Sequence, residues 1–478
     1  MEEKINSKGI ALPALVALVI SSAIGAGIFD LPYTLAQAAT PGPVLIAWLI
    51  TGFGILMLSL SLNNLVINKP KLTGISDYAR DGFGDFAGFI SGWGYWLSAW
   101  LGNVAFATML MSAMGYFIPS LKSGNSISAI VIASLISWAL TLLVTRGIES
   151  AAAINTIVTI CKLIPLFAFV VIALLSFKAG LFTEHFWQNF SVNMQNQPLF
   201  GKATTSGIFN QIKGCIMAMM WVFVGIEGAS MMAGRAKKKT DAGRATIIGL
   251  LALLSIYVVV SLLPYGYMTQ AELLQVNHPT VLYIFKDMTG SFGGAFISIG
   301  LIISILGAWL SWTMLPVEAT SLMAEQQLLP TWFGKLNKFN SPANSLFLTQ
   351  VLVQVFLITL IFTDQAYNFA YSLCTAAIVV CYTLVGAYQL KLGLQQRALR
   401  VILPGLFTVI FEVTAITLSG LQYLWLCTIA YVLGFVLYIR ARKENGKTVP
   451  KNEWLMMGII VGLAVLAVIF LATGQLSI

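Results

Sequence analysis

Apolar runs separated by short polar segments recur from one end of the chain to the other. Thirteen of them, 10–39, 44–67, 86–117, 127–145, 151–176, 206–234, 245–268, 291–322, 345–363, 367–390, 399–419, 421–440 and 454–473, are each long enough to cross ~30 Å of hydrocarbon. The pattern predicts an all-α integral membrane protein whose helices satisfy their own backbone hydrogen bonds. Two runs are broken by glycine. The first contains Ser22-Ala23-Ile24-Gly25-Ala26-Gly27-Ile28-Phe29-Asp30-Leu31-Pro32, and the sixth contains Trp221-Val222-Phe223-Val224-Gly225-Ile226-Glu227-Gly228. Opened backbone at mid-membrane depth is tolerated only where protein or a water-filled cavity covers it, and amides at a half-helix N-terminus suit a carboxylate. On the first break alone, close packing of another helix against Gly25 and Gly27 explains the glycines equally well.

The second break changes the balance. With the N-terminus in the cytoplasm, run one crosses from inside to outside and run six from outside to inside. Two five-helix units, about 10–176 and 206–390, would then be related by inversion, and paired broken helices in inverted halves point to the midplane site of a secondary transporter. The expected organisation is a ten-helix core in 1–390, with peripheral transmembrane helices in 391–478.

Composition excludes the soluble classes. Of 478 residues, 58% are hydrophobic and only 9% charged, more apolar surface than a soluble core can use. The first run carries Pro13 and the glycine break and lacks a small-residue cleavage site, so it is expected to be retained rather than removed as a signal peptide. The net charge of +9 raises the question of nucleic acid. Its placement answers it: only Lys122, Lys178, Lys202 and Lys286 of the 27 basic residues fall in the loops opposite the N-terminus. Arg235, Lys237, Lys238, Lys239 and Arg244 therefore read as a topology anchor, with no nucleic-acid partner expected. Cys161, Cys215, Cys374, Cys381 and Cys427 all lie in apolar runs without CxxC spacing, and His185 and His278 lie in polar connections. No metal or cofactor is expected, and no catalytic constellation marks an enzyme.

Ionisable residues deep in a membrane span are costly and are functional candidates for that reason. Glu227 follows the second break directly, where it either exchanges a proton or answers a cationic substrate, unless it merely bonds across helices. Lys162 stands ~16 Å into run five at 1.5 Å per residue, too deep to snorkel, and can replace a bound sodium ion between helices. Lys213 is nearer a span end and is expected to snorkel. Run eight offers Trp309, Trp312, Pro316 and Glu318; an indole there can cover a cationic side chain whose counter-charge is Glu318, or can be plain core. In run three Trp96, Trp100 and Asn103 share a helical face with Tyr95 nearby, a pattern that bundle packing also explains.

The glycine stretch with Phe29 and Pro32, the stretch from Trp221 to Glu227, Trp312-Thr313, and Tyr95 followed by Trp100-Leu101-Gly102-Asn103 together resemble the basic amino acid and polyamine antiporters of the amino acid-polyamine-organocation superfamily. The resemblance covers runs one to twelve, and the thirteenth is similar to the arginine/ornithine branch. It implies a LeuT-type five-plus-five inverted repeat with discontinuous helices 1 and 6. Amides at Gly25, Ala26 and Gly27 would receive the substrate carboxylate, and carbonyls of Ala23, Trp221 and Val224 its α-ammonium. Trp221 and Trp312 would be gate and platform, Asn103 a polar contact, Tyr95 a lid, and Glu227 the proton-sensitive residue. Ala26 departs from the family's frequent serine, so a hydroxyl contact to the carboxylate is lost. Lys162 is more like proton-coupled and cationic amino acid carriers than the arginine/agmatine exchangers, so the resemblance does not imply obligatory proton release by Glu227.

The implied activity is exchange of an amino acid for its metabolic product across the cell membrane, with arginine for ornithine expected. Exchange of histidine for histamine, or lysine for cadaverine, is the alternative, and a membrane amino acid sensor or a channel is the rival from another class. Partners are the amino acid pair and the lipid bilayer, with a homodimer as one option for the assembly.

Overall fold

The computed structural model describes residues 9–72, 74–147, 149–231, 233, 236–362 and 366–475, without the side chains of 149–157, 159, 160 and 366. Arg235 of the expected basic anchor lies outside the described residues. The helices are α1 (Leu12–Ala23), α2 (Leu31–Ala38), α3 (Pro41–Asn68), α4 (Ile75–Phe83), α5 (Asp85–Met114), α6 (Ile127–Thr145), α7 (Glu149–Leu175), α8 (Ala179–Thr183), α9 (Thr205–Trp221) and α10 (Gly228–Met231). They continue as α11 (Lys239–Leu262), α12 (Gln270–Leu273), α13 (Thr280–Glu325), α14 (Ala343–Thr359), α15 (Ala366–Gln396), α16 (Leu399–Ser419), α17 (Leu421–Glu444) and α18 (Lys451–Ala472). One antiparallel hairpin, β1 (Asn189–Val192) with β2 (Pro198–Gly201), precedes α9.

Among the described residues ten helices are long and apolar enough to cross a membrane. Three of the thirteen expected spans are outside that set: the first and sixth because each is split, α1 from α2 by the first glycine break and α9 from α10 by the second, and the fifth, α7, whose fully described apolar stretch is Cys161–Leu175. The fold is a helical membrane bundle, as the apolar pattern predicts. The eighth element differs from its expected bounds. α13 starts at Thr280 rather than 291 and runs for 46 residues, with Gly290 at φ +80° interrupting it. At 1.5 Å per residue it is ~69 Å long, more than twice the hydrocarbon thickness, so the break separates an outer piece from the spanning piece.

α5 is buried on every face and forms the centre of the bundle, whereas α18 leaves most of its surface to the surroundings. A helix that is apolar all round belongs in such a core. Glycines set the closest approaches: a Cβ on Gly54 of α3 would stand 2.1 Å from the Phe411 ring of α16, and one on Gly94 of α5 would stand 2.2 Å from the Tyr431 hydroxyl of α17. α16 and α17 therefore pack directly onto the helices that surround the two breaks.

Candidate functional site

α1 ends at Ala23, and the chain turns before α2 begins. The Gly25 N–H bonds back to the Ala23 carbonyl (2.9 Å), Phe29 N–H to Ala26 (3.2 Å) and Asp30 N–H to Gly27 (3.2 Å). Among the described residues, the N–H groups of Ala26, Gly27 and Ile28 donate to no backbone carbonyl. Three successive amides left free at a helix start form an anion-binding concavity.

The second break faces the first. Gly225 adopts φ +108°, and a Cβ there would stand 2.9 Å from the Ser22 carbonyl carbon and oxygen. Only glycine combines that conformation with so close a backbone approach. Ser22 Oγ donates to the Gly225 carbonyl at 2.8 Å, and Trp312 Nε1 donates to the Ser22 carbonyl at 3.0 Å. The Ala23 carbonyl accepts from Gly25 and the Trp221 carbonyl from Val224 (3.1 Å), while the Val222 and Val224 carbonyls accept no backbone amide among the described residues.

Between the breaks lies a cavity lined by Ser22, Ala23, Gly25, Ala26, Gly27, Phe106, Trp221, Val222, Val224 and Trp312. Its free volume is about 10 Å³, no more than one water requires. Three rings close it. Phe106 stands between the indoles, with centroids 6.1 Å from Trp221 and 6.4 Å from Trp312. Trp221 also stacks on Tyr371 and donates through Nε1 to the Tyr367 hydroxyl at 3.3 Å. Gly102 makes room for the Trp221 ring, whose Cη2 would lie 3.5 Å from a Cβ there.

Lys162 and Glu227, the two deep ionisable residues expected to couple transport, both contact broken backbone. Lys162 is fully buried, and its Nζ donates to the carbonyls of Ser21 (2.6 Å) and Ile24 (2.9 Å) at the C-terminal end of α1. A cation there satisfies carbonyls that lack helix partners and complements the negative end of the helix dipole. Glu227 Oε2 accepts from the Gly225 N–H (3.1 Å) and the Tyr382 hydroxyl (2.6 Å), while Oε1 is buried without a hydrogen-bond partner among the described residues.

A family model described as amino acid permease matches residues 10–465. The chain belongs to the amino acid permease family. It is similar to the arginine/ornithine antiporter of Latilactobacillus sakei, 56% identical with all of both chains covered. It is also similar to two arginine/ornithine antiporters of Lactococcus lactis subsp. cremoris: ArcD2, 53% identical over 99% of this chain and 97% of the relative, and ArcD1, 53% identical over 97% and 90%. The resemblance drawn from the glycine and tryptophan stretches holds over the full length of the permease.

Of the residues singled out in the sequence, Ala23, Gly25, Ala26, Gly27, Trp221, Val224 and Trp312 line one cavity of the permease. Asn103 stands behind it, its Nδ2 donating to the Trp312 carbonyl at 3.2 Å and its Oδ1 buried without a partner among the described residues. Tyr95 and Glu318 do not line the cavity; the buried Tyr95 hydroxyl has no hydrogen-bond partner among the described residues. Lys213 is exposed on the surface of α9. Sequence reasoning missed Phe106, Tyr367, Tyr371 and Tyr382. Phe106 alone had a signal, its position three residues after Asn103 on one face of α5.

Proposed function

We propose that this permease is an antiporter that exchanges arginine for ornithine by alternating access. The observation that carries the reading is full-length identity of 53–56% to relatives named arginine/ornithine antiporters. In this reading the protein is a multi-pass protein of the cell membrane with a cytoplasmic N-terminus. Its core comprises residues 1–390 as two inverted repeats, with 391–478 accessory to them.

The free amides of Ala26, Gly27 and Ile28 receive the α-carboxylate. The carbonyl of Val224, with those of Ala23 and Trp221, receives the α-ammonium. Trp312 supports the side chain, Asn103 Oδ1 offers it an acceptor, and Glu318 supplies negative charge once the aromatic closure has parted. A cavity of about 10 Å³ admits no amino acid, so Phe106, Trp221 and Trp312 separate on binding, and substrate takes over the contacts that hold the empty site shut. Lys162 acts as a built-in cation in place of sodium, and Glu227 responds to the charge of the substrate across the Gly225 turn.

Counterflow in proteoliposomes tests this. Labelled arginine is expected to enter vesicles loaded with ornithine and to ignore an imposed potassium diffusion potential, because both substrates carry one positive charge. Uptake against histamine or cadaverine but not ornithine, or uptake that follows the potential, would replace the arginine/ornithine pair with an amino acid/amine pair.

A further inference from the structure

Asp30 ends the turn that carries the three free amides. Its N–H closes that turn on the Gly27 carbonyl at 3.2 Å. Its carboxylate is buried, and Oδ1 alone accepts from His278 Nδ1 (2.7 Å), Thr280 Oγ1 (2.7 Å) and Thr280 N–H (3.1 Å). Thr280 is the first residue of α13, so Asp30 caps that helix from a distant part of the chain, where free N–H groups and the dipole favour an anion. His278 differs from the other donor in one respect: its side chain remains 43% exposed. Its ring meets Tyr33 edge-on, with centroids 4.4 Å apart, and the Tyr33 hydroxyl accepts from Gln37 and Asn196. A titratable ring at the surface thus grips the end of the candidate carboxylate-binding turn.

We propose that Asp30 is a positioning residue for that turn and that His278 makes its grip respond to pH on the side of the membrane where α13 begins. The inference rests on the exchange reading above. A cap needs only hydrogen-bond donors, which Thr280 already supplies twice; a partly exposed imidazole adds a bond whose strength follows the proton. With Asp30 ionised, the bond is charge-assisted in either state of the ring, and protonation of His278 adds the attraction between two opposite charges.

The groups facing the pair are few. Asp30 is the charge that acts on His278, while Tyr33 of α2 and Tyr367 and Tyr371 of α15 lie within electrostatic reach of Asp30. Lys286 and Asp287, on the outer piece of α13, engage the Tyr116 ring and the Tyr267 hydroxyl instead. Burial disfavours the His278 cation, but the Asp30 charge and hydrogen bond outweigh it and raise its pKa above the ordinary 6.5. A raised value means that protonation stabilises the gripped state. The contribution is complete below about pH 6.5 and is lost as pH rises through the higher value of the gripped state. Because Tyr367 receives the Trp221 indole N–H, loosening Asp30 also alters the surroundings of the aromatic closure.

The test is arginine–ornithine counterflow in proteoliposomes with pH set independently on each face. In the wild type, KM for arginine on the α13-start face is expected to rise about fivefold between about pH 5.5 and about pH 8, with little change in kcat. His278→Gln, which keeps a neutral donor, is expected to give a flat KM near the wild-type alkaline value. Thr280→Val is expected to raise KM while keeping the pH dependence, and Asp30→Asn to raise it at every pH. A flat wild-type KM, or the same rise in His278→Gln as in the wild type, overturns the proposal while leaving exchange intact. Absence of wild-type counterflow at every pH overturns the exchange reading and this inference with it.

Discussion

The side-chain amide of Asn103 donates to the main-chain carbonyl of Trp312, 209 residues away, at 3.2 Å. The acceptor is available because of Pro316. Four residues after Trp312, proline has no N–H to return to that carbonyl, although α13 continues through it. A single missing hydrogen in α13 therefore ties the aromatic platform of the site to the central helix α5.

Asn103→Leu is expected to strand the Trp312 carbonyl and cost about 1–3 kcal/mol. Pro316→Ala restores an N–H at the right place, so the double variant should recover most of the thermal stability measured in detergent. Exchange should stay impaired in the double variant, because the Asn103 acceptor is still missing. A double variant as unstable as Asn103→Leu would show that the carbonyl is not the source of the loss.

Gly25→Ala places a Cβ 2.6 Å from Phe106 Cε1, and Gly27→Ala places one 2.8 Å from Trp221 Nε1 and Val222 Cγ1. Each is expected to slow exchange by about tenfold or more. Phe106→Leu should relieve the first clash and restore part of the rate, which separates crowding from loss of the carboxylate site. Amines without a carboxylate should be affected less than amino acids at Gly27→Ala. Equal effects on both ligand classes would remove the carboxylate from this turn.

Lys162→Ala leaves the Ser21 and Ile24 carbonyls without their Nζ donor, and if that donor is the proposed built-in cation the expected loss is about 1.5–3 kcal/mol. Exchange should fall in every buffer, and wild-type activity should be the same with and without sodium. High sodium is expected to return part of the thermal stability of the variant. A sodium requirement in the wild type would reject the built-in cation.

Glu318→Gln is expected to weaken arginine more than a neutral amino acid, by about tenfold or less, since it removes charge while keeping size. Competition assays with both ligands measure the difference. Equal losses would assign Glu318 to helix packing.

Much of this architecture is legible along the chain because a bilayer imposes it locally. Each span must carry its own apolar length and its own hydrogen bonds, so α3, α5, α6 and the other long helices can be read from single runs of residues. The glycine breaks are legible for the same reason, as places where that local rule is suspended, and Lys162 and Glu227 as charges that the rule forbids without a partner.

The identity of each partner was decided only by the tertiary structure. Lys162 reaches Ser21 and Ile24, Tyr382 holds Glu227, and Phe106 fills the space between two indoles from different helices. His278, which the sequence places in an ordinary polar connection, meets Asp30 across 248 residues. Apolar periodicity specifies which residues turn inward but carries no record of what they meet there. Partners so distant in sequence are chosen by helix packing and by the bonds that broken backbone leaves open, and those exist only once the bundle has assembled.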